Sequence, residues 1–304
     1  MTIKLKEFGL IPYMIGTNSK NREISFLKKY TNCRIIKKNF SEIKENEYDI
    51  LMVNSDQTWR KLNKKHFHFH DIAFLKFAKN WNVTKFIYGA SLGYSEWKLS
   101  KEDEKIAKDL LSNFSDISVR ERGSVDLVKI HLGIRPKFVL DPTLLIDKKY
   151  YLKIIKNFKC KSMIERKYIF TYLLKEENNT NNFIKDASNQ LQYEIHNVTL
   201  GEKHSVEKFI YGIINSKAVI TNSYHGTVFS IIFNKPFISF IFKKSARERL
   251  ISLKETLKIK NRIFEYNQYP DINLLTIPLK INRNLLNSLK IQSINFLKKN
   301  LGIR

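Results

Sequence analysis

Residues 217–233 run Lys-Ala-Val-Ile-Thr-Asn-Ser-Tyr-His-Gly-Thr-Val-Phe-Ser-Ile-Ile-Phe. No other stretch constrains the chain as tightly. A short apolar strand meets a polar turn, and an apolar helical pattern follows directly. In an open parallel α/β sheet, ligands bind beyond the carboxyl ends of the strands. A helix that starts there directs its unpaired N–H groups and positive dipole end into the crevice, which makes a natural anion site. The expectation is an α/β protein in which His225 helps hold a small phosphorylated molecule. Asn222, Ser223, Gly226 and Thr227 shape the turn around it.

The rest of the chain repeats this grammar. Apolar runs of strand length at 48–53, 116–120, 137–140, 167–174, 193–198 and 236–242 end in polar or small-residue turns. A further strand from Lys85 runs into Gly89, Ala90, Ser91 and Gly93, residues that permit close approach of backbone to a ligand. Helical patterns fall at 101–114, 125–132, 180–191, 205–216, 247–257 and 283–300. Ser100 is placed to cap the first of these, Ser124 to cap the second, and Gly133 to end it. A helix is also expected between Arg22 and Phe40. Residues 66–71, His-Phe-His-Phe-His-Asp, read as extended, with alternate histidines on one face; no recognised ligand spacing accompanies them, so no metal is expected. The alternation predicts two Rossmann-like domains facing a cleft, residues 1–145 and 146–304, with a terminal helix in the second.

Composition excludes several classes. A chain of 304 residues with 43% hydrophobic content can bury a large core. Cys33 and Cys160 are too few for a disulfide framework or a Cys-rich zinc site and suit a reducing compartment. No run approaches the ~18–20 apolar residues of a membrane span, and the N-terminus lacks the apolar core of a signal peptide. A cytoplasmic protein is expected. The net charge of +25 is spread along the whole sequence rather than blocked into a groove, so no nucleic-acid partner is expected. Such a field draws anionic donors and glycans, and it favours contact with the inner, anionic face of a membrane.

Taken together, five turn motifs carry a resemblance. Ser55-Asp-Gln-x-Trp59, Tyr88-Gly-Ala-Ser91, Ile117-Ser-Val-Arg-Glu121, Leu140-Asp-Pro-Thr143 and Ser223-Tyr-His-Gly-Thr-Val-Phe-Ser230 occur in the order seen in polysaccharide pyruvyl transferases, and the chain resembles that family. The resemblance implies a glycosyltransferase-B-like fold without a cofactor. It implies transfer of the pyruvyl group of phosphoenolpyruvate (PEP) to a glycan, or to its lipid- or nucleotide-linked precursor, leaving a pyruvate ketal. On this reading His225 lies near the PEP phosphate and Arg120 meets the donor. A base beyond the next strand is expected, either Lys243 or Lys244, with Arg247 or Arg249 as rivals. Asp56 is the candidate for acceptor positioning or general base. Ser91 lies on the substrate side.

Each assignment has a plainer alternative. His225 could cap its helix, Arg120 could pair with Glu121 or Asp116 at the surface, and Asp141 reads as a turn residue before Pro142. The family's first strand and small-residue turn are not evident in residues 1–46, so the chain is expected either to lack that βα unit or to start late. Asn222 stands where the family commonly has Asp. It is expected to keep the capping geometry but to lose a negative charge beside His225, with less stabilisation of the imidazolium. A nucleotide-sugar glycosyltransferase of similar fold and a non-catalytic polyanion-binding relative are the competing readings.

Overall fold

The computed structural model describes residues 26, 28–30, 40–54, 57–60, 69–158, 166–198, 205–242 and 244–303. Two parallel sheets organise it. The first has the order β1-β2-β3-β4, with β1 Ile50–Val53, β2 Thr84–Ala90, β3 Asp116–Val119 and β4 Lys137–Phe138. The second has the order β6-β5-β7-β8-β9, with β5 Tyr168–Tyr172, β6 Glu194–Asn197, β7 Ala218–Thr221, β8 Phe237–Ile241 and β9 Ile263–Glu265. In the second sheet the chain steps from β5 out to β6 and returns on the other side as β7. The topological switch point, where a crevice opens between strands, therefore lies between β5 and β7.

Strands β7 and β8 are buried at every residue, as expected of strands covered on both faces. The helices are α1 Phe69–Phe74, α2 Lys101–Leu111, α3 Arg122–Leu132, α4 Pro142–Leu145 and α5 Lys148–Ile155. They continue with α6 Asn178–Leu191, α7 Val206–Asn215, α8 Tyr224–Ile232, α9 Lys244–Thr256 and α10 Arg283–Asn300. No helix among the described residues is long and apolar enough to cross a membrane.

Local signals set most of these boundaries. Ser100 and Asp103 form a capping box at the start of α2, and Gly133 ends α3 in the left-handed conformation. Ser124 does not cap: α3 begins at Arg122, with Glu121 in the cap position, because the chain turns into the helix immediately after Arg120. The strand expected over 137–140 stops at Phe138. Beyond it, the Leu140 N–H donates to Ser293 Oγ of α10 at 2.9 Å, and its carbonyl accepts from Tyr88 Oη at 2.8 Å. Within the His/Phe cluster, Phe69, His70 and Asp71 are helical rather than extended. His70 pairs with Asp103 at 2.9 Å, and His66 and His68 lie outside the described residues. Cys33, Cys160 and most of the helix expected over 22–40 also lie outside them.

Helix α10 follows the second sheet in sequence; its first half joins that sheet's core through Leu289, and its second half packs on the first sheet. Phe296 lies 6.2 Å from Phe86 and 6.1 Å from Tyr88, and Ser115 Oγ donates to Asn300 Oδ1 at 3.0 Å. Lys299 and Lys137 both reach Asp116 at 3.0 Å. Burial opposes ionisation of Asp116, but the hydrogen bonds and charges of these lysines outweigh it and hold the carboxyl below its ordinary value. Asp116→Asn is expected to cost about 1 kcal/mol at neutral pH, because both lysines are half-exposed. A folded-state value below the unfolded one gives stability that is present above the ordinary aspartate range and lost as pH falls through the folded value. The difference between wild type and variant in urea unfolding should therefore vanish in acid.

Candidate functional site

Helix α8 leaves β7 through a turn whose polar side chains are all committed. Thr221 Oγ1 donates to the Tyr172 carbonyl of β5 at 2.6 Å and accepts from the Ser223 N–H at 3.0 Å. Ser223 is the N-cap, accepting from the Gly226 N–H at 3.4 Å. Thr227 Oγ1 donates to the Ser223 carbonyl at 3.0 Å and shares a 2.8 Å hydrogen bond with Ser239 of β8. A Cβ at position 226 would stand 2.4 Å from Thr221 Oγ1, so only glycine lets the helix start lie against the strand end. Gly226→Ala is expected to lower stability by about 1–3 kcal/mol through overpacking, read as a lower midpoint in thermal melting.

Asn222 does something other than cap. Its Oδ1 accepts from the Leu174 N–H and its Nδ2 donates to the Lys175 carbonyl, both at 2.6 Å. It thus pins the exit of β5 to the exit of β7, across the switch point. An ionised aspartate could accept here but not donate. The carboxylate near His225 comes from elsewhere: Asp141 Oδ2 lies 3.9 Å from His225 Nε2. The expectation that Asn222 supplies the cap is corrected, since Ser223 is the cap.

Asp141 is buried at the start of α4, just beyond β4. Its Oδ1 accepts from the Thr143 N–H at 3.0 Å and from Thr143 Oγ1 at 2.6 Å. Its Oδ2 accepts from the Arg120 guanidinium at 2.5 Å. Arg120 leaves β3 and is itself buried, with Nε donating to Glu121 at 3.2 Å. The surface ion pair weighed for Arg120 is thus replaced by a buried Glu121–Arg120–Asp141 trio, while Asp116 is taken by lysines. Burial pushes the Glu121 carboxyl up, against the pull of Arg120 and of Arg249. Ser91, fully buried at the end of β2, lies toward Glu121. Its hydroxyl makes no hydrogen bond of ordinary length and angle, although its nearness still favours the ionised carboxyl.

Tyr224 sits between these groups. Its ring centroid is 5.2 Å from the Arg120 guanidinium carbon, 5.5 Å from that of Arg249 on α9, and 5.3 Å from the His225 ring. Burial, then the charge of Asp141, pushes its phenol well above the ordinary value, so it remains neutral. His225 is the exposed member of the group, with 39% of its side chain accessible. Helix geometry leaves the first N–H groups of α8 without acceptors inside the helix.

The structure therefore gathers Arg120, His225, Ser91 and the turn 222–227 at the carboxyl edges of the sheets. Arg247 is not among them: it is exposed and pairs with Glu265 at the end of β9, whereas Arg249 faces Tyr224. Asp56 and Lys243 lie outside the described residues, as does the side chain of Lys244, which opens α9. Sequence reasoning passed over Asp141, read as a turn, and Tyr224, which carried no assigned role. The signal available for Asp141 was its position in one of the five motifs. Nothing local marks it as the partner of Arg120.

An open α/β protein with cations and a helix start gathered at the carboxyl ends of its strands has its ligand edge there. The family model described as polysaccharide pyruvyl transferase matches residues 4–243, and the chain belongs to that family, a family of transferases. A search of individual curated proteins finds no match.

Proposed function

We propose that this protein transfers the pyruvyl group of PEP to a sugar of a cell-surface glycan or of its precursor, forming a pyruvate ketal. The observation that carries the reading is the convergence of Arg120 and His225 on Asp141, beside the start of α8. PEP brings a phosphate and a carboxylate, which call for directed N–H donors and fixed cations. In the reaction the methylene carbon of PEP takes up one proton, and the central carbon is attacked in turn by two acceptor hydroxyls. The C–O bond to phosphate breaks. One of the two hydroxyl protons balances that taken up by the methylene, and the other leaves with phosphate.

His225, half-exposed at the helix start, is the group assigned to the phosphate and to proton delivery. Arg249, rather than Arg247, is the downstream cation, because it faces Tyr224 and Glu121. Residues 1–145 are assigned to the acceptor side and 146–304 to the donor side of a glycosyltransferase-B-like cleft. Asp56 keeps its assignment to the acceptor, and the field of the +25 chain suits an anionic membrane face bearing a lipid-linked acceptor.

A thermal-shift comparison of PEP with nucleotide sugars tests the donor, since a ligand at 100 times its Kd stabilises by about 2.7 kcal/mol. PEP at millimolar concentration is expected to raise the melting temperature. Stabilisation by nucleotide sugars with none by PEP would replace this reading with a glycosyltransferase.

A further inference from the structure

We propose that Asp141 is a positioning residue of this site: through the single oxygen Oδ2 it fixes the Arg120 guanidinium and holds the His225 ring with its proton on Nε2. The proposal deepens the transfer reading and rests on it for its catalytic meaning. Its structural content rests on geometry alone. Oδ1 is held twice by Thr143, so the carboxylate cannot rotate freely. Oδ2 is thereby presented to Arg120 at 2.5 Å and to His225 Nε2 at 3.9 Å. The second distance is too long for a hydrogen bond but suits an ion pair with an imidazolium. A ring N–H turned toward a carboxylate is favoured over a lone pair turned toward it.

The charges around His225 oppose one another. Asp141 favours the imidazolium. The positive end of α8 disfavours it. Glu121 at the cap of α3 favours it, whereas Arg120, just beyond β3, and Arg249 from α9 disfavour it; these three gather around the neighbouring Tyr224. Asp141 is an ionic partner of His225 among the described residues, and its two tasks are linked. Moving the carboxylate would loosen the guanidinium and discharge the imidazole together.

The test uses the full chain labelled with ¹⁵N-histidine, with His225→Gln to assign the His225 signals. Long-range ¹H–¹⁵N spectra of the wild type are expected to show the neutral His225 ring protonated on Nε2. In Asp141→Asn, which keeps a side chain able to cap α4, His225 is expected to titrate about one pH unit lower. Asp141→Ser, also a capping residue, serves if the asparagine variant does not fold. A neutral wild-type ring protonated on Nδ1, or an unchanged His225 titration in a folded variant, overturns the proposal.

Neither measurement needs a donor, so failure of the pyruvyl reading leaves them standing and is seen separately as absence of PEP turnover by the wild type. Where turnover is present, the alkaline limb of kcat/KM is expected to move to lower pH by the same amount in Asp141→Asn. An unmoved limb counts against the coupling.

Discussion

His225→Ala is expected to lower PEP-dependent phosphate release in the presence of a glycan acceptor by a factor of about 100–1000, the loss typical of removing a proton donor or a directed charge-stabilising group. The fold should survive. His225 lies half-exposed at the second position of α8, and Ser223, Gly226 and Thr227 tie the helix to β7 and β8. Circular dichroism and the melting temperature should therefore stay close to wild type while turnover is lost. Phosphate release at the wild-type rate would remove His225 from the mechanism.

Arg120→Ala is expected to be the more damaging change, because it acts on the fold as well as on the site. The guanidinium is buried and bonds Glu121 on one edge and Asp141 on the other. Removing it leaves two carboxylates buried with their principal cation gone, and breaking a buried pair of this kind costs about 3–5 kcal/mol. Urea unfolding should show that loss, and PEP should no longer raise the melting temperature. Arg120→Lys should recover little of either. A lysine offers a point charge, not the planar fork that serves Nε to Glu121 and the terminal nitrogen to Asp141 together. A loss below about 1 kcal/mol would mean that the trio contributes no more than a surface pair.

Much of the fold was legible in the sequence because its signals are local. The capping box at Ser100, the left-handed stop at Gly133 and the span of α10 need only neighbours within a turn or two. The strand–turn–helix around His225 was equally readable, since an apolar run, a small-residue turn and a helical period are adjacent in sequence. Where the reading failed, the deciding contact was remote or the segment was short. Strand β9 has three residues, of which only Ile263 is buried, and carries no period to detect. Strand β4 ends early because Ser293 and Tyr88, both far along the chain, take the hydrogen-bonding groups of Leu140.

The site divides along the same line. Arg120, His225 and Ser91 were picked from their motifs, and the structure brings them to one edge. Arg247 and Arg249 stood as rivals because residue type alone does not separate two arginines of one helix. The side chains of a helix diverge by about 100° per residue, so one faces Glu265 and the other Tyr224.

By itself, the sequence determined the class of fold, the family and the strand–turn–helix that starts α8, because hydrophobic period, turn chemistry and motif order are properties of the chain read in one dimension. Only the tertiary structure decided what neutralises Arg120, what faces His225 and where α10 packs. Those outcomes depend on distances across two sheets, and a carboxylate that reads as a turn residue beside Pro142 becomes the shared partner of Arg120 and His225 only when the sheets bring their strand ends together.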